Sequence, residues 1–424
     1  MKRAAVIGAG AAGLCAAKHL LGAGLDVTVF EMGSRIGGLW VYENDNGLSP
    51  AYQSLHLNSE NRVTAYADFP FPDGTPLYPG HAQVAAYLDA YAQHFGVLAH
   101  IRFRSPVASV RRDGAGWRVD LADGTSAAFD AVVVASGHQG VPKHPPFARD
   151  FGGEYLHSHA YRVPEPFRGK RVLVVGAGNS ACDIAADICP VTACCVMAAR
   201  SPVLMMPRMF LGVPTSRVLA KVEHSWMPWP LRRRIRELIS RMAHGRMEQW
   251  GFTTPKTRTH PAGHHLLMAQ FVWGRVAAKP GIAEVRGQEV RFADGSAAEF
   301  DTMIAATGYE VDLPFLEPEV SPVRGQWLDL YRRVVRPGQP GLYFAGFFNV
   351  TGGGNIRMMD DQAAWIAALE TGRAGLPDQA AMAADIGRER AGIARLYPDS
   401  PRYGLELDPV QYRRDLAQVL RQRA

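Results

Sequence analysis

Cysteine is scarce in this 424-residue chain, and the five present are not arranged for chemistry. Cys15, Cys182, Cys189, Cys194 and Cys195 include no CxxC pair and no metal-ligand spacing. A disulfide framework and a thiolate metal centre are therefore excluded, and a reducing compartment is expected. No run of about 18 apolar residues occurs, so no membrane-spanning helix is expected. Charge of one sign is also weak. Lys and Arg number 46 against 40 Asp and Glu, a net +6. The one dense basic run, Arg232-Arg233-Arg234-Ile235-Arg236, has the spacing of a solvated helix face. Nucleic acid is thus not an expected partner.

What remains is ordinary for a globular enzyme, with 47% apolar and 20% charged residues. The length suffices for two domains, each with its own core. Met1-Lys2-Arg3 followed by apolar and small residues has the outline of a signal peptide. The glycine spacing that follows favours a buried strand, Ala4 to Ile7, entering a turn. A cytoplasmic location is expected on that reading.

An internal repeat organises the chain. Arg3 to Ile7 leads into Gly8-Ala9-Gly10-Ala11-Ala12-Gly13, and Arg171 to Val175 leads into Gly176-Ala177-Gly178-Asn179-Ser180-Ala181. Each is an apolar run, GxGxx(G/A), then an Ala-rich segment. Further on, Asp123-Gly124 precedes Phe129-Asp130 and the run to Ala135, while Asp294-Gly295 precedes Phe300-Asp301 and the run to Ala306. Asp-Gly is a strong hairpin signal. The pattern predicts an α/β fold with two Rossmann-like dinucleotide-binding domains, the second inserted into the first. The expected boundaries are 1–160 with 310–424, and 161–309. Phe147 to Lys170 reads as the crossing linker, and 203–270 as a divergent insertion. Within it, Met205, Met206, Met209, Phe210, Trp226 and Trp229 read as core by default, and Leu231 to Met247 as a helix.

In the first turn, Gly8 allows the bend, Gly10 lets the backbone approach a pyrophosphate, and Gly13 lets helix pack on strand. The helix starting at Ala11, with Ala9 and Ala12 beside it, offers unpaired N–H groups to an anion. A second strand, Asp26 to Phe30, ends at Glu31, roughly 20 residues on, where a carboxylate accepts from ribose hydroxyls. This end of the chain is expected to bind FAD. In the second turn, Gly176, Gly178, Asn179 and Ser180 repeat those mechanics. There the next strand, Cys194 to Ala198, is followed by Arg200-Ser201 instead of an acid. A guanidinium with a hydroxyl suits a 2′-phosphate, so NADPH is expected over NADH.

With these motifs in place, the chain resembles the flavin-containing monooxygenases, the single-component class B type. The family pattern FxGxxxHxxx(Y/F) stands here as Phe151, Gly153, His157 and Tyr161. Gly37-Gly38-Leu39-Trp40 matches the segment beside the flavin, Leu55-His56-Leu57-Asn58 the segment with an active-site asparagine, and Phe69-Pro70-Phe71-Pro72 follows it. Ala306-Thr307-Gly308-Tyr309 and Gln362-Ala363-Ala364-Trp365 match later segments. The resemblance implies cofactor contacts from Gly38, Leu39, Trp40, Asn58, Ser59 and Gln362. It also implies that Asn58 and the retained NADP⁺ amide hold a C4a-hydroperoxyflavin, whose lifetime depends on excluding water.

Three features depart from the pattern. Ketone-oxidising relatives of Baeyer–Villiger type carry Trp where this chain has Tyr161. Ser136 stands where Thr is frequent. The C-terminal membrane anchor of the animal enzymes has no counterpart.

The resulting expectation is an NADPH- and O₂-dependent monooxygenase acting on nitrogen or sulfur of a small organic amine or sulfur compound, with a homodimer allowed. A ketone monooxygenase and a non-turnover flavin sensor or partner-binding protein are the alternatives. A flavoprotein disulfide reductase is disfavoured, since no cysteine pair stands beside the expected flavin. The glycine run 352–354 before a helix near Asp360 is expected to offset charge on the flavin. His157 is expected to order a hinge, and His264-His265 to be an exposed helix pair. No metal site is expected.

Overall fold

A computed structural model describes residues 1–424 except 225, 351–353, 399 and 421–424, and all their side chains but those of 265, 401 and 402. The chain forms two compact units. The first comprises Met1–Ser49, Asn61–Val141 and Glu310–Ala424; the second comprises Pro50–Glu60 and Pro142–Tyr309.

In the first unit, a five-stranded parallel sheet runs in the order Leu342–Phe344, Ala131–Val134, Arg3–Ile7, Asp26–Phe30, Ile101–Arg102. Ala4 to Ile7 and Ala131 to Val134 are buried, as the uninterrupted apolar runs require of strands covered on both faces. Burying each such Val or Ile stabilises the fold by about 1.5–3 kcal/mol. The helix Ala11–Gly22 follows the first strand, and the helix Asn355–Glu370 lies against it.

The second unit repeats the plan. Its parallel order is Glu154–His157, Thr302–Ala305, Arg171–Val175, Cys194–Ala199, Val276–Pro280. Registers correspond: Arg3 pairs with Asp26 and Ile7 with Phe30, as Arg171 pairs with Cys194 and Val175 with Ala198. The Asp-Gly turns are both formed, with Gly124 at φ 86° and Gly295 at φ 81°. Each closes a three-stranded antiparallel meander. The acids after the meanders have a shared task. Asp130 accepts from the Arg3 N–H at 2.7 Å, and Asp301 from the Arg171 N–H at 2.7 Å. Each ties the end of its meander to the start of its sheet.

The two sheets differ in where the outer strand comes from. In the first unit it is Leu342–Phe344, downstream of everything else in the sheet. In the second it is Glu154–His157, upstream. The segment expected to be a linker, 147–170, therefore carries a sheet strand. The unit boundary falls at 141/142, not 160/161, and residues 50–60 also cluster with the second unit.

Several expectations are corrected at the level of elements. The helix expected near Asp360 begins at Asn355, with Gly354 at φ 89° as its cap; Gly352 and Gly353 lie outside the described residues. The helix expected over Leu231–Met247 spans Trp229–His244, and Gly245 at φ 76° ends it. The Met and Trp cluster is only half core: Met205 and Met206 are buried, whereas Met209 and Trp226 are exposed. None of the five cysteines forms a disulfide, including Cys189 and Cys194, whose spacing is CxxxxC. No described helix is long and apolar enough to cross a membrane.

Candidate active site

The first glycine turn is shaped by contacts that leave no choice of residue. Gly8 has φ 103°, and a Cβ there would sit 2.7 Å from the Ala135 carbonyl oxygen. A Cβ on Gly13 would sit 1.8 Å from the Gly8 oxygen. Gly10 is different. Its backbone is extended, and an added Cβ would meet only the Gly38 Cα, at 3.7 Å. Gly38, at φ 56°, opens the short helix Gly38–Trp40 and returns the same close approach. Two bare backbones thus approach each other closely at the N-terminus of the helix Ala11–Gly22, whose cap makes no side-chain hydrogen bond. The first-turn N–H groups of that helix and the positive end of its dipole suit an anion.

Glu31 is 4% exposed and sits at the turn. Its Oε2 accepts from the Ala9 N–H at 2.8 Å, and its Oε1 accepts from the Gly33 N–H at 2.8 Å and Asn46 Nδ2 at 3.3 Å. The carboxylate therefore holds the glycine turn as well as standing where a ribose acceptor is expected. Ala12 is buried, and Leu39 and Trp40 are partly open to solvent.

Gln362 departs from expectation. It is fully buried; its Oε1 accepts from the Gly346 N–H at 3.0 Å, and its Nε2 bonds the Tyr412 hydroxyl at 2.6 Å. The amide is committed to structure. It holds Gly346 where a Cβ would come within 3.0 Å of Ala12, on the glycine-turn helix.

The second turn, with Gly176 at φ 129°, leads into the helix Asn179–Ile188 capped by Gly178. Gly176, Gly178, Asn179 and Ser180 are all partly accessible. Asn179 uses its Oδ1 to accept from the Gly263 N–H at 3.2 Å. Arg200 and Ser201 follow the strand Cys194–Ala199 and are exposed.

Asn58 and Ser59 belong to the second unit. Asn58 is exposed, and its Oδ1 accepts from Arg208 at 3.0 Å. Arg208 also donates through Nε to the Gly263 carbonyl at 3.2 Å and lies 3.8 Å from Asp183 Oδ1. Asp183 is buried, and it takes the Tyr52 hydroxyl at 2.5 Å and His264 Nε2 at 2.9 Å. Burial, then the Asp183 charge, pushes the Tyr52 phenol well above its usual range. His264 is consequently no exposed surface residue. It is buried, and its Nδ1 caps the helix His265–Val272 by accepting from the Leu267 N–H at 2.9 Å. Two residues past Asn58, the buried Glu60 pairs with Arg217 at 2.6 Å.

Arg208, Asp183, Tyr52 and Glu60 were not singled out from the sequence. Asp183 carried a signal, an acid at a buried position of an Ala-rich helix, four residues before Asp187. Arg208 carried none, because its partners are 150 and 55 positions away.

In the family-pattern segment, Phe151 and His157 are buried. The His157 Nδ1 accepts from the His159 N–H at 3.1 Å, and its ring lies 5.5 Å from His144 and 5.3 Å from Tyr309. Burial first, then His144, lowers its pKa to about 4. Tyr161 is buried, and its hydroxyl donates to Asp187 at 2.6 Å.

Known proteins resemble this chain over nearly its whole length. Residues 1–424 match the family described as flavin-binding monooxygenase-like. The chain is 32% identical over 449 residues to flavin-containing monooxygenase 5 of Oryctolagus cuniculus, covering 99% of this chain and 83% of the relative. It is 30% identical over 443 residues to dimethylaniline monooxygenase (N-oxide-forming) 2 of the same species, covering 98% and 82%. Among solved structures, S-allyl-L-cysteine S-oxygenase from Allium sativum superposes with a TM-score of 0.74 at 27% identity, covering 99% of this chain and 89% of that one.

Proposed function

Because the chain belongs to the flavin-binding monooxygenase-like family, whose members are FAD- and NADPH-dependent oxygenases, we propose that it oxygenates nitrogen or sulfur in a small organic substrate. NADPH provides two electrons, one atom of O₂ enters the substrate, and the other leaves as water. Bound FAD supplies the electron transfer and the activation of oxygen. The protein's work is to bind, orient and exclude water.

The residues fit these cofactors. Glycine at 10 and 38 leaves the N-terminus of the helix Ala11–Gly22 clear of side chains from either residue, so the turn Gly8–Gly13 with Glu31 is assigned to FAD. The turn Gly176–Ser180 is assigned to NADPH, with Arg200 and Ser201 on the 2′-phosphate. Asn58 is assigned as the amide that hydrogen-bonds the reacting end of the cofactors.

The observation that carries the choice of nitrogen or sulfur over ketones is Tyr161. Its ring is buried and its hydroxyl is tied to Asp187, where ketone-oxidising relatives carry Trp. The relatives named as N-oxide-forming and as an S-oxygenase support the same choice.

A substrate panel tests the reading. NADPH oxidation and hydrogen peroxide release would be measured with tertiary amines, thioethers and cyclic ketones. Tight coupling is expected with an amine or thioether. Coupling with ketones alone would overturn the soft-nucleophile assignment, and peroxide formation with every class would point to a sensor or partner-binding role.

A further inference from the structure

We propose that the divergent segment 203–270 is a working part of the site: its Arg208 orients the Asn58 amide, and its Arg217 anchors the same loop through Glu60. The inference rests on the assignment of Asn58 as the cofactor-facing amide.

The geometry allows one orientation only. A guanidinium has N–H donors and no acceptor, so the group it meets at 3.0 Å must be the Asn58 carbonyl oxygen. Turning the amide over would set donor against donor. With Oδ1 held by Arg208, the Nδ2 end is the one left to present. Asn58 is therefore fixed as a hydrogen-bond donor toward whatever it faces.

Arg208 is itself pinned. Its side chain is 12% exposed, donates to the Gly263 carbonyl, and lies beside Asp183, which Tyr52 and His264 hold in turn. Gly263 also donates to Asn179, the first residue of the second glycine-turn helix. A continuous hydrogen-bonded chain thus runs from that turn to Asn58. At the other side of the loop, Arg217 bonds both oxygens of Glu60, through Nε at 3.0 and 2.7 Å, and Glu60 is 1% exposed. Both arginines come from the stretch 203–270, which matches neither half of the internal repeat. Arg208 is a positioning residue on this account, acting through Asn58.

The test uses the holoenzyme and five single variants, Arg208→Gln, Arg208→Lys, Asn58→Ala, Asn58→Asp and Arg217→Gln, with the double variant Arg208→Gln/Asn58→Ala. A Gln amide can donate or accept and so releases the constraint on Asn58; Lys keeps a donor there. FAD content and the urea unfolding midpoint establish that each variant is folded. Arg208→Gln should raise the peroxide share of oxidised NADPH severalfold, Arg208→Lys should recover much of the coupling, and the double variant should be no worse than Asn58→Ala. Asn58→Asp keeps an acceptor for Arg208 but lacks the donor, so it should uncouple as fully as Asn58→Ala.

Wild-type coupling in Arg208→Gln, additivity in the double variant, or full coupling in Asn58→Asp would each overturn the proposal. Full coupling in Asn58→Ala would overturn the role of Asn58 itself. Asn58→Asp carries the test alone should Arg208→Gln fail to fold. A readout independent of turnover is backbone amide exchange over residues 54–62. Losing a charge-assisted hydrogen bond should speed it about tenfold or more in Arg217→Gln. Unchanged exchange there would overturn the bracing.

Discussion

Gly10 and Gly38 face each other as bare backbones: a Cβ on Gly10 would stand 3.7 Å from the Gly38 Cα, and one on Gly38 would stand 3.2 Å from the Gly10 Cα. The contrast with Gly13, whose Cβ would lie 1.8 Å from the Gly8 oxygen, separates two roles for glycine in a single motif. At Gly13 the protein itself takes the space. At Gly10 the protein itself would tolerate a Cβ, and only the FAD proposed to bind there would meet it.

Gly10→Ala should therefore fold normally and lose FAD, whereas Gly13→Ala should lose stability. Over-packing of this kind typically destabilises by about 1–3 kcal/mol, which lowers the melting temperature by several degrees. Melting of the FAD-free chains, alongside FAD content after purification, separates the two. A Gly10→Ala protein that retains its flavin would remove the first turn from the binding site.

Arg200 and Ser201 are exposed at the end of the strand Cys194–Ala199. Arg200→Ala should weaken NADPH binding by roughly one to two orders of magnitude, the effect of losing a charge-assisted contact worth about 1.5–3 kcal/mol. The NADH value should move far less. Equal effects on the two coenzymes in flavin-reduction kinetics would assign the 2′-phosphate elsewhere.

Asn58→Ala should separate reduction from oxygenation. The variant should still bind FAD and still be reduced by NADPH, yet oxygen should be returned as hydrogen peroxide in place of oxygenated product. Product and peroxide yields per NADPH measure this directly. Unchanged coupling would make Asn58 a loop residue.

His157 should confer a pH dependence on stability. Its folded pKa of about 4 lies below the roughly 6.5 of an unfolded histidine. Between those values the unfolded chain binds a proton that the folded chain does not, so stability falls as pH drops from about 6.5 to 4 and levels off below. Allowing for solvent screening, the effect is about 1–2 kcal/mol. The difference between wild type and His157→Phe in urea midpoints across this range should show that slope; parallel curves would place the ring's burial outside the stability balance.

Local chemistry explains how much was legible beforehand. A glycine at positive φ after a buried strand, an Asp-Gly turn, and an acid at a strand end are all decided within a few residues. The repeated glycine turns, the meanders and the parallel sheets follow from such local rules applied twice. Asp130 and Asp301 are legible for the same reason, since each recurs at the same place in the repeat.

What only the tertiary structure decided are the pairings between distant residues. That Glu154–His157 completes the second sheet depends on hydrogen bonds to Thr302–Ala305, which its own composition does not announce. Gln362 carries a family motif, yet its amide is consumed by Gly346 and Tyr412. His264 looked like a surface residue until Asp183 and the Leu267 N–H gave both ring nitrogens buried partners. The orientation of Asn58 is the last case. The sequence determined that an amide stands at 58. Which end it offers was decided by Arg208, because a donor-only guanidinium brought from 150 residues away can be satisfied only by the carbonyl oxygen.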